Sequence, residues 1–345
     1  MSCFYPLPAI KYRDPLNEFK WKVNVGKRHD RSSFSAYTDL RTGEVIEPFT
    51  IPCGKCIGCR LDYSRMWADR CVMESLCYDP DLCWFLTLTY DDNHLVTEKR
   101  SLVTEKGTLT LYPKDVQDFM KRLRSHWKRA YSVDNIRFYL CGEYGSETFR
   151  PHFHVLCYGL NINDLVPYCK NELGHMLFKS DELSDVWSHG FVVVGRLTWE
   201  TCAYTARYVL KKYKGMTAQD TFDHYHEAHM YPECTRMSRS PGIGRAYYEQ
   251  HKDQIYRACD GDPRKLVQSE IILPQGRVAT PPKYFDKIKE NDDPVFMTFL
   301  KQARKHVAEL RQADILDHTS LDEDAYFRLL EDRKKNSSKA LTRLL

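Results

Sequence analysis

No run of about 18 apolar residues occurs in the 345-residue chain, which excludes a membrane-spanning helix. No charged-then-apolar leader opens it, so secretion is not expected. In a reducing compartment, thirteen cysteines, an odd number, read as thiols or metal ligands rather than disulfides. Strong net charge is missing too. With 51 basic and 47 acidic side chains the balance is +4, so any nucleic-acid footprint must be local. There is no glycine-rich phosphate loop of the P-loop kind, and no nucleotide hydrolysis is expected to drive the chemistry. What is present is a folded protein, 42% hydrophobic and 13% aromatic, able to build one large domain or two modest ones.

The chain is organised around residues 141–156, CGEYGSETFRPHFHVL. Ile136–Glu143 is rich in β-branched, aromatic and aliphatic residues, a Gly/Ser/Glu/Thr turn follows, and Pro151–Tyr158 returns, which predicts a β-hairpin. Alternation along a strand puts His152 and His154 on one face and Phe153 on the other. Two imidazoles so placed can share one metal ion, with Glu143 of the partner strand as a third, oxygen ligand. Two nitrogens and a carboxylate suit Mn²⁺ or Mg²⁺ with open positions for water or phosphate. Taken alone, His-x-His on a strand is more often two exposed histidines.

Upstream, Pro52–Arg60 carries Cys53, Cys56 and Cys59 in a Cys-x2-Cys-x2-Cys run with glycines that let the chain turn sharply. Three thiolates at this spacing can reach one Zn²⁺, and a closed site needs a fourth from Cys3 or Cys71. The competing reading is three reduced cysteines in a turn.

Further elements follow from pattern. Leu61–Tyr78 reads as a helix, Cys83–Tyr90 as a central strand and Thr108–Tyr112 as a short one. Pro113 opens a helix with Val116, Phe119, Met120, Leu123 and Trp127 on one stripe. Its outer face is basic, more often a solvated face than a DNA contact. Ser180 caps a helix through Trp187 that Gly190 ends, and Phe191–Leu197 is a strand. Thr198 caps a helix over 199–214, closed by Gly215. On it Tyr204, Tyr208, Lys211 and Lys212 can share a face. Stacked tyrosines are most often core, but Arg207, Lys211, Lys212 and Lys214 argue against burial, since unpaired lysines are costly inside.

Residues 223–229, DHYHEAH, are taken as a solvated polar segment. Residues 236–245 hold Arg236, Arg239 and Arg245, no acid, and a Ser-Pro-Gly-Ile-Gly turn with Gly242 and Gly244. Amides and guanidiniums of that kind suit a phosphate. Beyond Pro281 the chain is charged and helical, with Phe296, Phe299, Leu300 and Val307 striping one helix and a second over 321–335.

His-hydrophobe-His on a strand, a Glu nine residues before it, and Tyr-x3-Tyr-x2-Lys-Lys on a later helix resemble the HUH endonucleases that initiate rolling-circle replication. CGKCIGCR (53–60), FLTLTY (85–90), RPHFH (150–154) and MSRSPGIG (237–244) are similar in order and kind to the gokushovirus replication initiators of the Microviridae, over about residues 1–285. The resemblance implies an α+β fold, a central antiparallel sheet with helices on one side and a helical C-terminal extension. It implies that Tyr204 and Tyr208 attack single-stranded origin DNA in turn, leaving a 5′-phosphotyrosine and a free 3′-hydroxyl. Glu143, His152 and His154 would hold Mn²⁺ or Mg²⁺, and Lys211 or Lys212 would stabilise phenolate or phosphate. Cys3 would complete the zinc site with Cys53, Cys56 and Cys59. Arg207, Arg236, Arg239, Gly242, Gly244 and Arg245 would contact DNA. The expected partners are origin DNA and the host helicase and polymerase, in the bacterial cytoplasm and without a membrane. The expected division is an arm at 1–52, an endonuclease domain at 53–260 with a Cys-rich segment at 53–71, and an extension at 261–345. Two other classes stay open: a relaxase or transposase with the same chemistry, and a non-catalytic zinc-stabilised DNA-binding protein.

Overall fold

The computed structural model describes residues 3–27, 34–96, 103, 107, 109–145, 148–171, 174–211, 225–227, 229–256 and 270–341. The chain divides into two compact units, residues 1–63 with 304–345, and residues 64–303.

In the first unit, where the sequence suggests an extended arm, β1 (Leu7–Asp14), β2 (Asn17–Val25) and β5 (Phe49–Ile51) form an antiparallel sheet in the order β2-β1-β5. Asp14 makes the tight β1–β2 turn by accepting the Leu16 N–H at 3.0 Å. The short pair β3 (Tyr37–Thr38) and β4 (Val45–Ile46) is tied to β1 by Arg13, which donates twice to the buried Asp39. Helix α1 (Ile57–Ser75) starts in this unit.

The second unit is built on β6 (Cys83–Tyr90), α2 (Asp92–Val96), α3 (Pro113–Tyr131), β7 (Arg137–Tyr144) and β8 (Pro151–Tyr158). It continues with β9 (Val166–Lys170), β10 (Met176–Lys179), α4 (Asp181–Trp187), β11 (Gly190–Arg196), α5 (Trp199–Lys211) and β12 (Cys234–Met237). Helix α6 (Arg245–Ile255), the hairpin β13 (Ile271–Leu273) and β14 (Arg277–Ala279), then α7 (Lys283–Asp292) and α8 (Pro294–Asp317) follow. The chain returns to the first unit in α9 (Glu323–Leu341), where Phe327 and Leu330 pack against Cys3, Phe4 and Cys56, and the Tyr5 hydroxyl donates to Glu331.

The protein is α+β, as the sequence implies. Seven antiparallel strands run in the order β12-β7-β8-β6-β11-β10-β9. The helices do not keep to one side. Alternation gives the sheet two apolar faces, and each needs cover. Leu86, Leu88, Leu140, Phe153 and Val155 meet the stripe of α3 and Leu183 and Trp187 of α4. On the reverse, Tyr139, Leu156 and Tyr158 meet Ala68 and Cys71 of α1, Cys202 and Ala206 of α5 and Tyr248 of α6.

Several details differ from expectation. Helix α4 is capped by Ser180, whose oxygen accepts the Leu183 N–H, but it ends at Ser188 in a left-handed conformation (φ 58°) rather than at Gly190. Gly190 (φ +143°) serves another purpose: a Cβ there would lie 2.4 Å from the Thr89 oxygen. The strand expected at 108–112 reduces, among the described residues, to the single bridge Val103–Leu109. In α8, Met297 and Leu300 are buried while Phe299 faces outward, 49% exposed. Of the polar segment 223–229, the described Tyr225 is not solvated but packs on the core, stacked on Tyr144.

Candidate functional site

The β7–β8 register places Glu143 directly opposite His152, and Cys141 opposite His154. Glu143 and both histidines therefore share one face of two interior strands, the face that carries α5. Nε2 of His152 lies 2.6 Å, and Nε2 of His154 2.9 Å, from the same oxygen, Oε1 of Glu143. Each residue offers a ligand atom within 4.8 Å of the others, with Glu143 and His154 buried and His152 partly open. Burial alone would raise the Glu143 carboxyl, but hydrogen bonds and charge from His152 and His154 outweigh it and hold it down to about 2.

The outer nitrogens decide whether a cation fits here. Nδ1 of His152 lies 3.1 Å from the Arg150 carbonyl oxygen, which can only accept, so Nδ1 carries the proton and Nε2 is left to face a cation. Arg150 is itself clamped: its guanidinium donates to the Tyr90 carbonyl at 2.7 Å and pairs with Asp92 at 2.7 Å. Nδ1 of His154 lies 3.1 Å from Oγ1 of Thr87, its cross-strand neighbour on β6. Phe85 stacks on the His154 ring at 5.2 Å. Two oriented imidazoles and a carboxylate, with one side open, fit a divalent ion that keeps positions for other ligands. Sequence reading missed Thr87 and Arg150, though Thr-Leu-Thr alternation in β6 held a signal for the first.

Helix α5 begins with a reciprocal pair in which Thr201 N–H donates to Oγ1 of Thr198 and Thr198 N–H to Oγ1 of Thr201. Its first turns bury Cys202, Ala203 and Ala206 against the sheet. That orientation carries Tyr204 to the metal-ligand cluster: its hydroxyl donates to Oε1 of Glu143 at 3.3 Å, and its ring stands edge-on to His154 at 5.0 Å. The side chains of Tyr208 and Lys211, and all of Lys212, lie outside the described residues. Arg207 turns back along the helix to donate to the Ala203 carbonyl at 3.4 Å.

The expected phosphate grip at 236–245 is built differently. Arg236 on β12 pairs in register with Leu140, which puts it on the sheet face opposite to the histidines. The Gly244 N–H, instead of facing solvent, donates to the buried Glu74 at 2.6 Å. Glu74 also accepts from the buried Arg137, which in turn donates to the Pro241 carbonyl at 2.8 Å. Arg70 donates to the Ile243 carbonyl at 2.8 Å, and a Cβ on Gly242 would meet the Tyr284 hydroxyl at 2.7 Å. The glycines thus permit close packing of a turn whose polar groups are spent inside the protein. Arg245 pairs with Glu249, and Arg239 is exposed. The basic residues of α3 are likewise engaged: Arg122 donates to the carbonyls that end α4, and Arg124 to the Ile136 carbonyl.

In the first unit, the sulfurs of Cys3, Cys53, Cys56 and Cys59 all lie within 4.8 Å of one another. Backbone N–H groups point at three of them: Cys53 N–H at Cys3 (3.2 Å), Cys56 N–H at Cys53 (3.3 Å) and Cys59 N–H at Cys56 (3.5 Å). Burial raises the Cys53 thiol, but amide donors from Cys56 and Lys55 outweigh it and bring it below its ordinary value. Four convergent sulfurs with amide donors behind them fit a soft ion in a closed tetrahedral site. Cys71 is elsewhere, wholly buried in the core of the second unit, where burial pushes its thiol up to about 12.

Comparison with known proteins places these geometries. A family model for replication-associated proteins of the ORF2 type matches residues 83–213, the stretch from β6 through α5. The chain is 30% identical over 348 residues to replication-associated protein ORF2 of Spiroplasma virus 4, covering 100% of this chain and 97% of that one. It is 31% identical over 289 residues to replication-associated protein VP4 of Bdellovibrio phage phiMH2K, covering 81% and 82%. With replication-associated protein ORF4 of Chlamydia phage 1 it shares 31% identity over 169 residues, covering 48% and 39%. No solved structure matches.

Proposed function

This chain belongs to the ORF2 family of phage replication-associated proteins, and from that premise we propose that it starts rolling-circle replication by nicking single-stranded origin DNA through tyrosine attack. The observation that carries the reading is the Tyr204 hydroxyl, 3.3 Å from the Glu143 oxygen on which both histidine Nε2 atoms converge. A tyrosine hydroxyl has an ordinary pKa of about 10 and is a poor nucleophile unless its phenolate and the phosphate charge are stabilised. A divalent ion held by Glu143, His152 and His154 would, when bound, polarise the scissile phosphate and neutralise developing charge.

The protein's own groups do the rest. Glu143 receives the Tyr204 O–H and aims the oxygen at the ligand side of the cluster. Attack by that oxygen forms a phosphotyrosine bond to the 5′ phosphate as the bond to the 3′ oxygen breaks, and the 3′ oxygen leaves as a hydroxyl after taking a proton from water. One phosphoester replaces another, so rejoining consumes no nucleotide, in keeping with the missing P-loop. Tyr208, one turn along α5, serves as the second nucleophile when the regenerated origin is cut. Lys211 and Lys212 stabilise phenolate or phosphate. A host polymerase extends the free 3′ end. The four cysteines of the first unit hold a structural Zn²⁺, and Arg207, Arg239 and Arg245 contact the DNA backbone.

The test is incubation with labelled single-stranded origin DNA and Mn²⁺, followed by mass mapping of the DNA-linked peptide. An adduct on Tyr204 or Tyr208 is expected. DNA binding with no adduct under any divalent ion overturns the reading in favour of a non-catalytic DNA-binding protein.

A further inference from the structure

Strand β2 forms the edge of the first unit's sheet, and every described side chain from Phe19 to Val25 is exposed. Its register with β1 sets Val25 opposite Ala9, Val23 opposite Lys11 and Trp21 opposite Arg13, so Phe19, Trp21, Val23 and Val25 line one face. Phe19 is 80% exposed and Trp21 36%. Lys20 and Lys22 alternate onto the other face. Folded proteins seldom leave a long apolar edge strand bare, so such a strand marks an interaction surface.

What binds there is indicated by the cations. The Arg13 guanidinium lies 4.3 Å and the Lys11 ammonium 4.6 Å from the Trp21 ring centre, and Arg41 lies 4.5 Å from that of Phe19. Arg13 is fixed by Asp39 and Lys11 by Glu44, so these charges are held over the rings. On the larger scale, the first unit holds 19 basic and 15 acidic residues and so carries the whole net charge of +4, while residues 64–303 balance at 32 of each. Lysines at a sheet edge oppose pairing with a second copy of that edge, which would set lysine near lysine, but they suit a polyanion.

We propose that β2 is a sequence-independent binding surface for single-stranded DNA, with bases stacking on Phe19 and Trp21 and phosphates running past Lys20 and Lys22. Rings backed by guanidinium groups accept any base, because every base has a π-face. The proposal rests on the reading that this chain acts on single-stranded DNA, and it adds a contact outside the metal-ligand cluster that would retain the displaced strand during replication.

The test uses the full chain and fluorescence anisotropy with an oligothymidylate of about 30 nucleotides that lacks any origin sequence. Phe19→Leu with Trp21→Leu keeps apolar bulk but removes the rings, and should weaken binding about tenfold or more. Lys20→Gln with Lys22→Gln should lower the slope of log affinity against log salt by about 1.4, from two lost phosphate contacts. Both variants should melt as the parent does and still cut a short origin oligonucleotide. Parental affinity for oligothymidylate in both variants overturns the proposal. So does a parental dimer that the leucine variant converts to monomer at unchanged DNA affinity, which assigns the strand to a second copy. If the parent protein forms no covalent adduct, the nicking reading fails while the anisotropy result for β2 still stands.

Discussion

At the scale of the residue, Thr87 and Arg150 act on the histidines from behind. Thr87 meets Nδ1 of His154 and the Arg150 carbonyl meets Nδ1 of His152, so each fixes which nitrogen is left for a ligand. Thr87→Val preserves shape and removes the hydroxyl. It should weaken Mn²⁺ binding, read as free Mn²⁺ by electron paramagnetic resonance, by about 10- to 100-fold. Thr87→Ser should restore it, and neither variant should shift the melting temperature much. Equal Mn²⁺ affinity in the valine and serine variants would show that Thr87 only packs. Tyr204→Phe keeps the edge-on contact with His154 and loses one long hydrogen bond, so its cost in stability should stay below about 1 kcal/mol while the Tyr204 adduct vanishes. A core tyrosine would show neither effect on chemistry.

At the scale of the element, the β7–β8 hairpin is held in register by a contact on its reverse side. Gly142 pairs with Phe153, and a Cβ at 142 would lie 2.8 Å from the fully buried Phe153 ring. Gly142→Ala should therefore cost about 1–3 kcal/mol in denaturant unfolding. Because Glu143 and His152 are the next residues along each strand, it should also weaken metal binding; an unchanged midpoint would show that Phe153 moves away freely. The hairpin is legible in the sequence because a period of two fixes faces without knowledge of partners: His152, His154 and Glu143 come together on the strength of alternation and one turn. The stripe of α3 is legible for the same kind of reason. Long-range pairings are not. Nothing local announces that Glu74 on α1 takes the Gly244 N–H or that Arg137 supports the Pro241 carbonyl, and so a turn rich in glycine and arginine reads as a phosphate grip. Likewise β1 and β2 lack a clean alternation of apolar and polar residues, since β2 is exposed on both faces, and they read as an arm.

At the scale of the whole molecule, the chain has a contiguous unit carrying the metal-ligand cluster and another made from both of its ends. If zinc sits among Cys3, Cys53, Cys56 and Cys59, elemental analysis should find one ion per chain. Its removal, or Cys56→Ser, should raise deuterium uptake in 3–27, 49–60 and 323–341, because Phe327 and Leu330 of α9 pack on that cluster. Peptides of β6, β7 and β8 should keep their protection. Uniform loss of protection over both units would refute a local structural ion. No helix is long and apolar enough to cross a membrane. The bond from Tyr5 to Glu331 spans 326 positions, and it bears on the order of events during synthesis. A ribosome delivers residues 64–303 as one continuous stretch that can fold as it emerges, whereas the unit begun first waits for α9, made last, to cover its cysteines. The nascent protein therefore acquires its histidine-bearing sheet while four of its thiols are still uncovered, and the supply of zinc during translation, rather than the stability of the sheet, sets how many chains are completed.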